Sequence, residues 1–294
     1  MNAFRDRFRA FAAALRGGVA TTVAGGGPRA AGPPRSRNAA SSFHLVWEMP
    51  RTPEAARLVE VSAVLEVVTR PRVASLYFWA LQVDFEDDGL TWGGGHTGLQ
   101  WNRRFPEHTA ANWGGYAAPE RGGAVLPGSQ PELFAFAGDP NTVAFDWRPQ
   151  RPYRLRVFRS PDIAGAWRAQ ITDVASGRTT VIRDLLRPEG PRDRQGRDRR
   201  AGDGGAGYLR RPIVWSEVFA GCDAPSVVVR WSDLSATNED GAIVRPRAVR
   251  VNYQAHHVGG CANTSVRRDG AAVLQVTNTP REVEQGTRIA LGRG

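Results

Sequence analysis

The sequence predicts an all-β protein built as an antiparallel sandwich of two sheets, of the jelly-roll type. About a dozen runs of roughly four to eleven residues are rich in Val, Ile, Trp, Tyr, Phe or Thr and end at Gly, Pro, Asp or Asn, which is typical of β-strands. No segment after residue 43 keeps a helical period, so the strands have no crossover helices and are expected to pair antiparallel. The chain has 294 residues, 41% of them hydrophobic, which is enough for a large core between two sheets.

The predicted strands follow one another along the chain. Within residues 75–85, one face of the predicted strand is formed by every second residue, namely Tyr77, Trp79, Leu81, Val83 and Phe85. The residues between them point to the opposite face. The other runs are, in order, LVEVSAVLEV, HTGLQW, TVAFDW, YRLRVF, AWRAQITDV, TTVIRDL, PIVWSEVF, SVVVRWSDL, RAVRVNYQ, AVLQVT and RIAL.

A single sandwich domain is predicted over residues 43–294, and the basic charge lies in two segments with little apolar surface. Residues 1–42 carry a net charge of +6 and residues 183–211 carry +4, which together make the whole excess of +10. We expect residues 1–42 to be a disordered or targeting tail and linker, and about 187–207 to be a disordered basic loop. All basic residues are Arg, which indicates a compositional bias of the chain and only secondarily a binding function, so no nucleic-acid partner is expected. No apolar run reaches the ~18 residues of a membrane-spanning helix, so no transmembrane segment is expected either.

The acidic and Gly-rich stretch at 84–101 allows three interpretations. Asp84, Glu86 and Asp88, followed by Gly89, match the opening of a calcium loop, but position twelve is Gly95 where a bidentate Glu is required. The favoured alternative is a plain hairpin turn with its charges in water. The third is a ligand-facing loop. Apart from this calcium candidate, no cofactor is expected.

Aromatic residues beside Gly, Asn or Thr are candidates for binding a sugar. Trp92, Trp101, Trp113 and Tyr116 could stack on sugar rings, and Gln100 could donate to and accept from a sugar hydroxyl. The favoured alternative for the aromatic residues is that they cap the ends of the sandwich core.

Glu217 is the strongest candidate for catalysis. By alternation it shares a strand face with Ile213, Trp215 and Phe219, where a carboxyl is paired, more easily protonated than in water, or part of a site. A glycosidase needs a second carboxyl close by, and no second acid lies near Glu217 in sequence. Whether the chain is an enzyme stays open, with a binding role favoured.

Several short motifs carry a resemblance to a known family. Gly98-Leu99-Gln100, NWGGY at 112–116, WRAQITDVASGRTTVIRDL and VWSEVF together resemble an actinobacterial-type family of secreted β-sandwich proteins without an established reaction. The resemblance covers about residues 76–233 and implies a fold similar to concanavalin-type lectins and glucanases. It implies a carbohydrate ligand but no mechanism.

Three functions are therefore compared. The favoured one is a carbohydrate-binding or lectin-like module of a secreted bacterial protein, with a polysaccharide or glycan as its partner. The alternatives are a glycoside hydrolase or lyase with Glu217 as acid or base, and a structural surface protein without a small ligand. Cys222 and Cys261 are expected to form a disulfide, which indicates export to the cell exterior or surface although the signal-peptide pattern is weak.

Overall fold

The computed structural model describes residues 28–188 and 205–292, and regular structure in these ranges is almost entirely β-strand. Short 3-10 turns lie at Pro53–Ala55, Pro106–His108, Pro119–Arg121 and His256–Val258. The strands are β1 (Ser41–Glu48), β2 (Leu58–Thr69), β3 (Tyr77–Asp87), β4 (Leu90–Trp101), β5 (Thr109–Ala117), β6 (Ala135–Phe136), β7 (Asp139–Ala144), β8 (Pro152–Arg159), β9 (Ala166–Asp173), β10 (Thr179–Leu186), β11 (Tyr208–Val218), β12 (Val228–Asn238), β13 (Ile243–Val244), β14 (Ala248–Tyr253), β15 (Ser265–Asp269), β16 (Ala272–Val276) and β17 (Arg288–Ala290).

The strands pair antiparallel into two layers. The first layer has the order β17-β14-β1-β11-β3-β4-β5-β7-β6. The second layer has the order β15-β16-β12-β2-β8-β9-β10, and β13 pairs with the far end of β12. Leu209 of β11 pairs with Leu58 of β2, so the sheet curls from one layer into the other. The predicted antiparallel all-β sandwich is confirmed.

The main core lies between the two layers and is filled by alternate residues of each strand. Trp79 and Trp113 come from the first layer, Trp167 and Trp231 from the second, and all four are 0–1% exposed. The Trp113 indole Nε1 donates a hydrogen bond to the Trp167 carbonyl oxygen at 3.1 Å, so the layers are joined by a polar contact within an apolar core.

The other face of the first layer carries a second apolar cluster. Phe78, Ala80, Ile213 and Trp215 pack there with Val46, because period-two alternation sends the residues between the core positions to this side. The Trp215 indole Nε1 donates to the side-chain oxygen Oε1 of Gln82, on the same face, at 3.0 Å. Polar residues neighbouring this cluster form the candidate site described below.

The segment before β1 is packed onto the sandwich, although its composition predicts a linker up to residue 42. The Arg35 N–H donates to the Gly259 carbonyl oxygen at 3.0 Å, and Ala40 is fully buried. The domain therefore begins earlier than residue 43. The remainder of the predicted tail, residues 1–27, and the centre of the predicted basic loop, residues 189–204, lie outside the described residues.

Two sequence expectations concern the chain as a whole. Cys222 and Cys261 form the predicted disulfide, with 5.5 Å between their Cα atoms, and this prediction is confirmed. Within residues 28–188 and 205–292, no helix has the length and apolar character needed to cross a membrane.

Candidate functional site

The candidate site begins with one row of residues across four adjacent strands of the first layer. In the ladder, Ser42 of β1 pairs with Glu217 of β11, Glu217 with Phe78 of β3, and Phe78 with Gln100 of β4. Neighbouring strands are roughly 4.8 Å apart, so the backbones at Glu217 and Gln100 are separated by about 10 Å. Both side chains stand on the same face and can reach a shared pocket.

That pocket is small, and many of the side chains that line it are polar. Four amide side chains line it, those of Asn38, Gln100, Asn112 and Asn141, beside the carboxyls of Glu217 and Asp139. His96 and Tyr116 also line it, and Leu76, Phe78 and Phe219 supply its apolar walls. Its volume is about 40 Å³, which is room for about two or three water molecules.

The Glu217 carboxyl is buried, with 3% of the residue exposed. Burial raises the pKa of Glu217 from 4.5 to about 7, and hydrogen bonds from Ser42 and Asn38 oppose part of that rise. Asn38 Nδ2 donates to Glu217 Oε1 at 2.5 Å, and the Ser42 hydroxyl lies 3.5 Å from the same oxygen. A carboxyl that titrates near neutral pH can act both as a proton acceptor and as a proton donor.

Gln100 is held in one orientation by its neighbours. Asn102 Nδ2 donates to the side-chain oxygen Oε1 of Gln100 at 2.9 Å, and the Trp147 indole Nε1 donates to the main-chain carbonyl oxygen of Gln100 at 2.9 Å. The hydrogen bond from Asn102 to the side-chain oxygen orients the Gln100 amide, whose nitrogen carries two N–H groups that can donate to a ligand in the pocket.

Two glycines near the pocket lie where a Cβ would crowd a neighbouring strand. A Cβ on Gly98 would lie 1.8 Å from the Trp79 carbonyl oxygen, and one on Gly114 would lie 3.0 Å from Asn141 Cγ. Only Gly allows the strands to approach this closely.

The other titratable groups of the pocket are shifted toward their neutral forms. Burial lowers the pKa of His96 to about 3, so its imidazole is neutral at all but strongly acidic pH. Burial raises the pKa of Asp139. Burial also raises the pKa of Tyr116, and the charges of Asp139 and Glu217 raise it further. The surroundings of the pocket thus disfavour net charge.

The structure brings together three of the residues proposed from the sequence and separates the others from them. Glu217, Gln100 and Tyr116 line the same pocket. Trp92 and Trp113 are 1% and 0% exposed in the core, so a role for them in sugar stacking is wrong. The reason is alternation: Trp113 is an odd number of residues from Tyr116 and points to the opposite face.

Trp101 likewise lies on the opposite face from Gln100. The residue is 9% exposed, its Nε1 donates to the Val73 carbonyl oxygen at 2.9 Å, and the Arg70 guanidinium lies 6.0 Å from the ring centroid. Trp101 contributes to a separate surface cavity with His108. It takes no part in the pocket of Glu217.

The acidic stretch forms a hairpin between β3 and β4. Asp88 and Gly89 have φ of 49° and 78°, as the turn requires. Asp84 lies 3.5 Å from Arg211 and Glu86 is ion-paired with Arg210, so arginines occupy these carboxylates. Within the described ranges, no group of three His, Cys, Asp or Glu residues is placed to hold a metal ion.

Sequence reasoning missed several residues of the pocket. Asn112 and His96 could have been found, because they share alternation parity with Tyr116 and Gln100 on strands whose pairing the Gly-rich hairpin suggests. Asn38 and Asp139 could not have been found. The first lies in a segment with linker composition, and the second begins a strand whose neighbour is set by tertiary structure.

Comparisons with known proteins give matches only among solved structures. No family model and no curated protein match the chain. A crystal structure of Scytalido-glutamic peptidase with a peptide-based transition-state analogue matches with 10% identity and a TM-score of 0.43, covering 80% of this chain and 97% of that one. SCP-B, a member of the eqolisin family of peptidases, solved with the tripeptide Ala-Ile-His, matches with 10% identity, the same coverages and a TM-score of 0.41. At these values the likeness assigns no residue a role.

These findings correct the expected relationship. The matched structures are glutamic peptidases, so the resemblance to a family with a fold like concanavalin-type lectins and glucanases is wrong. The predicted carbohydrate-binding function is corrected with it, and the glycoside hydrolase alternative receives no support either.

Proposed function

We propose that the protein hydrolyses peptide bonds, with Glu217 as general acid and base and Gln100 as the donor to the developing oxyanion. One observation carries the proposal. A buried carboxyl with a pKa of about 7 shares a small pocket with an amide that is oriented by a hydrogen bond to its oxygen. The first group can move a proton and the second can donate hydrogen bonds, which are the two tasks that amide hydrolysis needs.

The reaction proceeds through a tetrahedral intermediate. Ionised Glu217 accepts a proton from a water molecule, and the resulting hydroxide adds to the carbonyl carbon of the substrate. Gln100 Nε2 donates to the oxygen that becomes negative. Protonated Glu217 then donates its proton to the substrate nitrogen as the C–N bond breaks, which releases a carboxylic acid and an amine and leaves Glu217 ionised again.

Three features support a peptide as the substrate. The amide side chains of the pocket can pair with both the N–H and C=O groups of an extended peptide backbone. Leu76 and Phe219 offer apolar contact to its side chains. The flat aromatic surfaces of Trp92 and Trp113, which a sugar ring would need, are in the core.

The proposal is tested by incubating the full, oxidised chain with a set of unfolded decapeptides between pH 4 and pH 8 and identifying new termini by mass spectrometry. We expect kcat/KM to rise with pH through an apparent pKa near 7, as Glu217 ionises. Glu217→Gln should lower kcat by about 10²–10⁴-fold, and Gln100→Ala by about 10²–10³-fold.

Glu60→Gln is the matched control, because Glu60 is paired with Arg156 in the second layer and should leave activity unchanged. New termini produced equally by the wild type and by Glu217→Gln would refute the proposal. So would a folded wild type that cleaves none of the peptides, and the interpretation as a structural protein would then be preferred.

We also propose that the protein works in an oxidising compartment, outside the cytoplasm. The disulfide supports this, because such bonds form and persist where thiols are not kept reduced. Alkylation without reductant, followed by mass spectrometry, should find Cys222 and Cys261 unlabelled in protein taken from its native compartment. Two labelled cysteines would contradict the proposal.

A further inference from the structure

The pocket of Glu217 continues past Gln100 into a second and larger cavity of about 350 Å³. The two cavities share Leu76, Gln100, Asp139 and Phe219 as walls. Because Gln100 is the proposed donor to the bond that is cut, a peptide bound there would extend into the second cavity. This cavity is therefore placed to contact a substrate side chain close to the cleaved bond.

Two arginines follow directly after β4 and line this second cavity. Arg103 and Arg104 are exposed, and in the described part of the chain neither forms an ion pair. On the same face of the sheet, by contrast, Arg210 and Arg211 are neutralised by carboxylates of β3. Arg103 and Arg104 thus present positive charge that no ion pair among the described residues neutralises.

The turn that carries the arginines is fixed to the proposed catalytic amide. The Phe105 N–H donates to the Asn102 carbonyl oxygen at 3.0 Å, and the Arg104 N–H donates to Asn102 Oδ1 at 3.2 Å. Asn102 also donates to Gln100, and the Arg104 guanidinium lies 4.7 Å from the Phe136 ring centroid. The backbone of the turn and the Arg104 guanidinium are therefore held at a set position relative to Gln100.

One acidic residue shares the cavity. Asp139 lies on its wall, and it is attracted to Arg104 and Arg183. Arg183 is buried, and its guanidinium donates to Asn141 Oδ1 at 3.1 Å, so Arg103 and Arg104 remain the charges available to a ligand. The side chains that line the second cavity thus keep a net positive charge even when Asp139 is ionised.

We propose that this second cavity is a specificity subsite in which Arg103 and Arg104 bind an acidic side chain of the substrate peptide. The inference rests on the proposed peptidase function and adds the class of peptide to it. The apolar walls Leu76 and Phe219 hold the stem of a Glu or Asp residue, while the two guanidinium groups bind its carboxylate.

The test uses hexapeptides in which Glu, Gln or Arg is placed in turn at each position around one cleavable bond. We expect one position at which Glu gives a kcat/KM about fivefold higher than Gln, the size expected for exposed ion pairs. The advantage should appear in KM and not in kcat, should shrink in 0.5 M NaCl, and should be lost in the Arg103→Gln/Arg104→Gln variant. Arg178→Gln, which removes the same kind of charge from the exposed turn after β9, should keep it.

A second measurement is independent of turnover. A fluorescein-labelled Glu peptide should bind to full-length Glu217→Gln more tightly than its Gln counterpart, and adding Arg103→Gln/Arg104→Gln should abolish the difference. Equal rates and equal binding of Glu and Gln peptides would refute the subsite alone. A preference for Arg peptides would indicate that Asp139 determines what the cavity binds, and it would also refute the subsite. A wild type that binds the peptides but never cleaves them would refute the peptidase function, and the binding measurement alone would then decide about the subsite.

Discussion

Replacing Glu217 by Gln should stabilise the folded protein at alkaline pH, because the native site disfavours the ionised carboxyl. The pKa of Glu217 is about 7 in the folded protein and 4.5 when it is solvated. Between these values the folded state binds more protons than the unfolded state, so the free energy of unfolding falls as pH rises through this window. Since one pKa unit is worth about 1.4 kcal/mol, the loss between pH 4 and pH 8 is about 3 kcal/mol. A glutamine cannot ionise and escapes this loss.

Urea unfolding of the wild type and of Glu217→Gln at pH 4, 6 and 8 measures the effect. The difference in unfolding free energy between the two proteins should grow by about 3 kcal/mol toward pH 8, in favour of the variant. Asp173→Asn is a control of opposite sign, because Arg151 holds the pKa of Asp173 at about 2 and the wild type should be the more stable protein at neutral pH. A pH-independent difference for Glu217→Gln would refute the assignment of a protonated carboxyl, whatever its effect on activity.

Three further predictions concern stability. Replacing Cys222 and Cys261 together by Ser should lower the unfolding free energy by about 4 kcal/mol, the loop-closure estimate for a separation of 39 residues, and a urea midpoint unchanged from the wild type would contradict this. Gly98→Ala should destabilise far more than Gly94→Ala, since its Cβ would lie 1.8 Å from a backbone oxygen of β3 against 3.1 Å for Gly94; similar melting temperatures would speak against so close an approach of β4 to β3 at Gly98. His96→Gln should reduce the loss of stability on acidification. Because the pKa of His96 is lowered to about 3 in the folded protein, the wild type should lose about 4 to 5 kcal/mol of unfolding free energy as pH falls from 6.5 to 3. An equal dependence of unfolding free energy on pH in the variant would contradict a buried neutral imidazole.

The strands and their faces could be predicted from the sequence because alternation is a local property. Tyr77 to Phe85 alternate as core residues of β3, and Ile213, Trp215 and Glu217 lie together on the opposite side of the first layer. The same rule, applied to NWGGY, would have separated Trp113 from Tyr116 and placed Asn112 beside the latter. The local pattern of this stretch therefore contains the information that Trp113 lies in the core and Tyr116 on the other face.

The neighbourhood of Glu217 could not be predicted in this way. Its position opposite Phe78 and Gln100 depends on the pairing of β11 with β3, strands separated by more than a hundred residues in the chain. Asn38 makes the shortest hydrogen bond to Glu217 from a segment rich in Gly, Pro and Ala, where composition indicates a linker. The local pattern of apolar and polar residues indicates neither the pairing of strands distant in the chain nor the order of an arm with low hydrophobicity.

The same arm connects the disulfide to the candidate site. The Cys222 N–H donates to the Gly32 carbonyl oxygen at 2.7 Å, and the Cys261 N–H donates to the Ser41 hydroxyl at 3.0 Å, on either side of Asn38. Burial without hydrogen bonds would disfavour the ionised form of Glu217 further, so Ser42 and Asn38 together keep its pKa within reach of neutral pH. Because the arm has little apolar surface of its own, its anchorage rests on backbone contacts, and those at the bridge are among them. The disulfide therefore supports the surroundings of Glu217, and with them its proposed proton chemistry, as well as the stability of the sandwich.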